Sequence, residues 1–211
     1  MDMYQAIAQE PYENRGILHS EIALVIHLAQ RLGIQRIIES GRARAQSTYM
    51  LAKYLPDVEI HSIEARGGPD SEFGAARMRG FHNVTLVDGD GSELVPWTAE
   101  MLPRKLTAIL CDGPKGAAAV SIIEQCFQYP HVKVGFIHDM RRLDHGGPSP
   151  HRAIAMERLP HHKFTDDPGY AWASWMDAKI AEAGGPCGPQ WEAVHGSYGP
   201  TLGAFFNSNK Q

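Results

Sequence analysis

A lysine, a histidine and several carboxylates fall at the ends of short apolar runs, where they could do chemistry together. Asp112-Gly-Pro-Lys115 follows the run 106–111, and His138-Asp139 follows the run 132–137. If those runs are neighbouring strands, Asp112, His138 and Asp139 could form a divalent-metal shell. Oxygen ligands suit Mg²⁺ or Ca²⁺, and an imidazole moves the preference toward Mn²⁺, Fe²⁺ or Zn²⁺. The alternative is that Asp139 caps the following turn and His138 bonds locally. Lys115 opens the next predicted helix, an unfavourable place for a cation against the helix dipole. It could pair with Asp112 or face a site. Beside a cation its pKa would fall from ~10.4 toward neutrality, as a general base requires. The alternative is an ordinary surface lysine.

A second set of residues suits a nucleoside. The apolar run 34–38 ends at Glu39-Ser-Gly41, and a helix is predicted over 45–54. Strand, small-residue turn and helix make the first half of a nucleotide-binding βαβ unit, whose free N–H groups suit a polar or anionic ligand. Glu64 ends the next strand, 23 residues after Gly41. A carboxylate there can accept both ribose hydroxyls of an adenosine. Asp88-Gly-Asp90-Gly91-Ser92 could shape an adenine pocket, or could be a tight turn followed by a helix N-cap.

The elements that must position these residues alternate. Strands are predicted at 34–38, 58–63, 83–87, 106–111 and 132–137, with helices at 45–54, 71–79, 92–101 and 115–127 between them. Such alternation predicts a Rossmann-like, doubly wound, mostly parallel sheet with helices on both faces. Strands at 162–165 and 201–206 bring it to seven. Ligands then sit beyond the carboxyl ends of the strands, where Glu39, Glu64, Asp88, Asp90, Asp112, His138 and Asp139 lie. Ahead of the sheet, Ser20 is the predicted N-cap of a helix running to Leu32, with Gly33 past its end. The chain reads as one domain, with 1–33 as a helical cap and 34–211 as the α/β core with long C-terminal loops. A helix is expected over 153–159 and another over 171–183, with Trp172, Trp175 and Met176 packing, and a loop over 184–200.

With net charge −4 and 21% charged residues, there is no electrostatic case for nucleic acid or an anionic membrane. Cys111, Cys126 and Cys187 form no CxxC pair, so a disulfide framework is not expected and a reducing cytoplasm is the default. No signal peptide or membrane-spanning run is visible. A homo-oligomer stays open.

The layout resembles class I S-adenosylmethionine-dependent methyltransferases, most closely the metal-dependent catechol O-methyltransferase-like group, over about residues 35–139. The matching motifs are Glu39-Ser-Gly41 with Ser47, Glu64, the strand and loop 84–92, Asp112-x-x-Lys115 and His138-Asp139. The resemblance implies cofactor contacts from Glu39, Gly41, Ser47, Glu64, Asp90, Gly91 and Asp112. It further implies a Mg²⁺ or Mn²⁺ ion on Asp112, His138 and Asp139, and Lys115 as general base. The turn has glycine only at Gly41, with Arg42, Ala43, Arg44 and Ala45 following, and His138 stands where the family has an acid or amide. The implied reaction is methyl transfer to a small hydroxylated acceptor, acidic or vicinal-dihydroxy. Arg141, Arg142, His145, His151 and Arg152 could bind an acidic acceptor. Gly146-Gly147 would permit loop motion, and the stretch His195-Gly-Ser-Tyr198 could close over the same pocket. A metal-dependent hydroxylase or hydrolase (cephalosporin hydroxylase-like) on the same fold, and a non-catalytic ligand-binding relative, remain alternatives.

Overall fold

A computed structural model describes residues 2–13, 16–65, 67–144 and 147–208. The parallel strands are β1 (Arg36–Ser40), β2 (Glu59–Glu64), β3 (Val84–Asp88), β4 (Thr107–Cys111) and β5 (Val132–Ile137). A two-residue ribbon, β6 (Leu143–Asp144) with β7 (Gly147–Pro148), follows. The sheet is completed by β8 (His162–Phe164) and by β9 (Gly203–Phe206), which runs antiparallel to both β5 and β8. The seven strands lie in the order β3-β2-β1-β4-β5-β9-β8. The order reverses between β1 and β4, so the ligand crevice of a doubly wound sheet opens there.

The central strands are covered on both faces, whereas β2 and β3 toward the edge are only partly buried. All five residues of β1 and of β4 are buried. Side chains alternate between two cores, as the two-residue period of a strand requires. Ile37, Leu110 and Phe136 pack with Ile22, Val25 and Ile26 of α2 (His19–Arg31) and Met50 and Leu51 of α3 (Gln46–Tyr54). Ile38, Ile109 and Ile137 pack on the other face. Their partners are Val95 of α5 (Gly91–Met101), Val120 and Ile123 of α6 (Ala117–Cys126) and Ala155 of α7 (Pro150–Arg158). Each such side chain contributes about 1.5–3 kcal/mol on burial. The remaining helices are short: α1 (Met3–Ile7), α4 (Pro69–Arg77), a 3₁₀ helix at Ala171–Asp177, α8 (Ala178–Glu182) and α9 (Pro189–His195).

Several boundaries differ from the sequence reading, each for a local reason. Helix α2 starts one residue before Ser20. Its first turn is closed by Glu21, whose carboxylate accepts the Leu18 N–H at 2.9 Å. Ser20 instead donates its N–H and hydroxyl to buried Asp177, at 3.0 and 2.6 Å. Gly33 does follow the helix in the left-handed region, φ +63°. Asp90, not Ser92, caps α5 by accepting the Ser92 N–H. Helix α6 begins at Ala117, so Lys115 precedes it. The expected loop over 184–200 contains α9, in which Pro189 takes the first helical position and Gly196 closes the end at φ +70°. Met176 is buried as expected, but Trp172 and Trp175 are about half exposed. Cys111, Cys126 and Cys187 are free and buried. Among the described residues no helix is long and apolar enough to cross a membrane.

Candidate active site

The turn after β1 and the end of β4 are stitched together. Ser40 O accepts N–H groups from both Asp112 (2.8 Å) and Gly113 (3.1 Å). This close approach needs glycine at 41: its φ is +94°, and a Cβ would lie 2.5 Å from Gly113 N. Ala43 (φ 42°) and Ala45 (φ 60°) are also left-handed. Positions 41, 43 and 45 thus repeat a conformation that costs an L-residue about 1–2 kcal/mol. The turn takes positive φ at three positions with one glycine. Alanine concealed this, because it is ordinarily a helix former.

The expected cofactor residues divide into two groups. Glu64 stands at the end of β2 and accepts the Ala43 N–H at 2.6 Å, so it faces the turn. Glu39 does not end its strand; it lies inside β1, fully buried. It accepts hydroxyls from Ser47, Thr48 and Ser62, the last at 2.6 Å. Burial raises its pKa despite these bonds. Glu39 and Ser47 therefore lock α3 to β1 and β2. Asp90 is engaged as the α5 cap. Gly91 lets α5 begin against β1, since a Cβ there would overlap the Ser40 hydroxyl.

The two arginines of the turn are paired. Arg42 is buried and donates to Ser62 O at 2.6 Å and to Asp88 at 3.0 Å. Arg44 meets Glu13 and Asp70 at 3.1 and 3.2 Å and lies 4.0 Å over the Phe73 ring. A cavity of about 50 Å³ remains over the turn, lined by Glu13, Ile17, Gly41, Arg42, Gln46 and Asp112 among others. Small-molecule sites measure about 300–1,000 Å³. The cavity as it stands is smaller than a nucleoside needs.

Across the switch point the end residues of β4 and β5 converge. Lys115 Nζ contacts Asp112 and lies 2.7 Å from Asp139 Oδ2. The His138 Nδ1 lies 2.7 Å from Asp112 Oδ1 and 3.5 Å from Asp139 Oδ1, while its Nε2 lies 3.1 Å from Glu21 Oε2. Asp139 adopts φ +62°, uncommon for a non-glycine residue and best tolerated by aspartate or asparagine. Burial opposes every charge here; pairing wins at Asp112, Asp139, His138 and Lys115, while at Glu21 burial wins and raises the pKa despite His138. Asp112 is held well below the usual carboxylate range by His138 and Lys115, and Asp139 is lowered by the same two. His138 is raised well above the ordinary imidazole value by Asp112 and Glu21. Burial would lower Lys115 too, but Asp112 and Asp139 outweigh it and its pKa is raised. This reverses the expectation of a lysine tuned toward neutrality: its near neighbours are anions.

Asp112, His138 and Asp139 each offer one donor atom within 4.8 Å of the others. Two oxygens and a nitrogen at that spacing fit a divalent cation. The sequence reading missed Glu21. It comes from an N-terminal helix far along the chain from His138, and no local pattern marks that contact.

The loop after β5 serves mainly structure. Arg152 pairs with Asp166 at 2.7 Å and lies 3.7 Å over Phe164. His151 packs against Gly116. Arg141 is half-buried. His145 and Gly146 lie outside the described residues. Arg142 is exposed at the rim of a cavity of about 270 Å³, with Ser20, Tyr170, Ser197, Tyr198 and Thr201 among its lining. The first turn of α2 stands between this cavity and His138, with Ser20 lining the cavity and Glu21 reaching the imidazole.

No family model and no curated protein matches this sequence. Solved structures do match. The O-methyltransferase TomG from Streptomyces achromogenes, involved in tomaymycin synthesis and solved with S-adenosylmethionine, aligns over 99% of this chain and 91% of its own. The identity is 16% and the TM-score 0.57. An O-methyltransferase from Bacillus cereus, solved with S-adenosylhomocysteine, aligns over 96% and 87% at 14% identity, TM-score 0.55. A fibrillarin/Nop5p complex aligns over 92% and 81% at 15% identity, TM-score 0.56. The chain shares its fold with the two O-methyltransferases and with the fibrillarin/Nop5p complex. At such identities the likeness establishes the fold and leaves the chemistry to the site.

Proposed function

We propose that the chain is an S-adenosylmethionine-dependent O-methyltransferase acting on a small hydroxylated acceptor with a divalent cation. One observation carries this reading: on this fold, Lys115, Asp139 and His138 gather at Asp112, which is bonded through its backbone to the β1 turn. In this reading Glu64 receives the ribose hydroxyls, Asp90 and Gly91 border the adenine, and the backbone at Gly41 approaches the methionyl end. Asp112, His138 and Asp139 hold the cation. A bound cation supplies Lewis acidity toward an acceptor hydroxyl and lowers its pKa, and the cofactor supplies the methyl group.

The chain's own part is positioning and proton handling. Asp112, His138 and Asp139 would hold the cation that a chelating acceptor binds, and Lys115, against both carboxylates, would then lie beside that acceptor. Nζ accepts the hydroxyl proton once it has lost its own, which requires positive charge at the two carboxylates that now hold it protonated. The hydroxyls around the 270 Å³ cavity, with Arg142 at its rim paired to Asp166, support a polar acceptor. The test is transfer of a labelled methyl group from S-adenosylmethionine to catechol-type and hydroxy-acid acceptors in Mg²⁺ or Mn²⁺. Wild-type protein should label an acceptor and Lys115→Ala should not. Failure to label any acceptor counts against the reading. Equal labelling by Lys115→Ala removes the lysine from its role.

A further inference from the structure

Glu21 has no assigned task, and its setting is unusual. It is a carboxylate with no exposed surface, on the first turn of α2. One oxygen, Oε2, accepts the Leu18 N–H and meets His138 Nε2; the other, Oε1, has no hydrogen-bond partner among the described residues. An isolated helix cap would favour an exposed position, where water satisfies the second oxygen. Burial raises its pKa despite His138 and the Leu18 N–H, so the position is kept at a cost that a plain helix cap does not require.

We infer that Glu21 is the positioning residue that turns His138 into a nitrogen ligand. An imidazole that binds a metal through one nitrogen almost always donates its other N–H to a carboxylate or carbonyl, which fixes the tautomer and the ring plane. Here Glu21 Oε2 faces Nε2 at 3.1 Å, so Nδ1 is the nitrogen aimed at Asp112 and Asp139, at 2.7 and 3.5 Å. Leu18 N–H holds the same carboxylate oxygen in place from the helix cap. The N-terminal helix thereby reaches into the centre formed by β4 and β5. With a nitrogen in the set, the site favours Mn²⁺ and its later neighbours over Mg²⁺. This inference rests on the cation-binding reading above.

The test uses Mn²⁺ binding to the full chain, followed by the electron paramagnetic resonance signal of free Mn²⁺, with Mg²⁺ as competitor. Circular dichroism checks the fold of each variant. Wild type should bind Mn²⁺ in preference to Mg²⁺. Glu21→Leu removes the acceptor and should weaken Mn²⁺ about 10- to 100-fold. Glu21→Gln keeps a carbonyl oxygen for Nε2–H and should recover most of that loss, which a purely structural role would not predict; it also keeps the question open to measurement if the leucine variant misfolds. Mn²⁺ affinity unchanged in a folded Glu21→Leu, or a Glu21→Gln no better than Glu21→Leu, overturns the inference and leaves the cation site standing. No Mn²⁺ binding by wild type overturns both.

Discussion

The two halves of the crevice handle charge in opposite ways. On the β1–β3 side each ionic side chain near the turn is tied up locally. Arg42 is held by Asp88 and Ser62 O, Arg44 by Glu13 and Asp70, and Glu39 by three hydroxyls. On the β4–β5 side the carboxylates Glu21, Asp112 and Asp139 face one lysine and one histidine, and Asp177 is buried close behind through Ser20. The first side is built to hold a shape. The second gathers more carboxyl groups than cations in a low-dielectric place, where burial raises the pKa of Glu21 and Asp177 while His138 and Lys115 hold Asp112 and Asp139 ionised.

Removing the lysine should break this contrast most severely. Lys115→Ala is expected to lower methyl transfer by about 10²–10⁴-fold, the usual worth of a positioned acid or base. Rates measured at saturating cofactor would show it. A loss below tenfold would mean that the proton leaves by another route.

The pH dependence of stability sharpens the same contrast. Burial, chiefly, pushes the Asp177 carboxyl up to about 7. A carboxyl raised in the folded state contributes stability that is complete below its unfolded pKa, near 4, and is lost as pH rises through about 7. The stability lost over that range is up to about 4 kcal/mol. Asp177→Asn cannot ionise, so urea midpoints at pH 5 and pH 8 should converge in this variant relative to wild type. Parallel shifts in both proteins would show that Asp177 is ionised throughout.

On the quiet side the effects are smaller and structural. Arg42→Ala should cost about 2 kcal/mol, through lost packing and charged hydrogen bonds to Ser62 O within β2 and Asp88 at the end of β3. Urea denaturation measures this; a change under 0.5 kcal/mol, on the order of an ordinary surface substitution, would mean the buried guanidinium is idle. Smallest of all, Ala45→Gly should shift stability by within about 1 kcal/mol. Relief of the left-handed backbone offsets the greater freedom of glycine in the unfolded chain and the lost methyl. A loss of several kcal/mol would contradict the φ assigned to this residue.

The central strands were legible as apolar runs closed by a polar residue and β2 as an alternating one, and the adjacency of β4 and β5 then brought Asp112, Lys115, His138 and Asp139 to one place. Glu39 misled for a short-range reason. An acid after an apolar run reads as a strand end, yet three hydroxyls from elsewhere in the chain allow the strand to continue through it. Ala43 and Ala45 concealed a glycine-like turn because a residue type does not reveal its φ. Glu21 was invisible because its partner is set by how α2 docks on the sheet, which no local pattern encodes. Helix α9 hid behind Gly and Pro, which mark helix ends as readily as loops.

The division of labour between the two halves can be tested directly by calorimetric titration of S-adenosylmethionine into wild type, Glu64→Ala and Lys115→Ala in Mn²⁺ buffer. Wild type should bind, Glu64→Ala should lose about tenfold or more through its missing ribose contact, on the order of 1.4 kcal/mol, and Lys115→Ala should bind like wild type. No binding by wild type, or an equal loss in both variants, would contradict it.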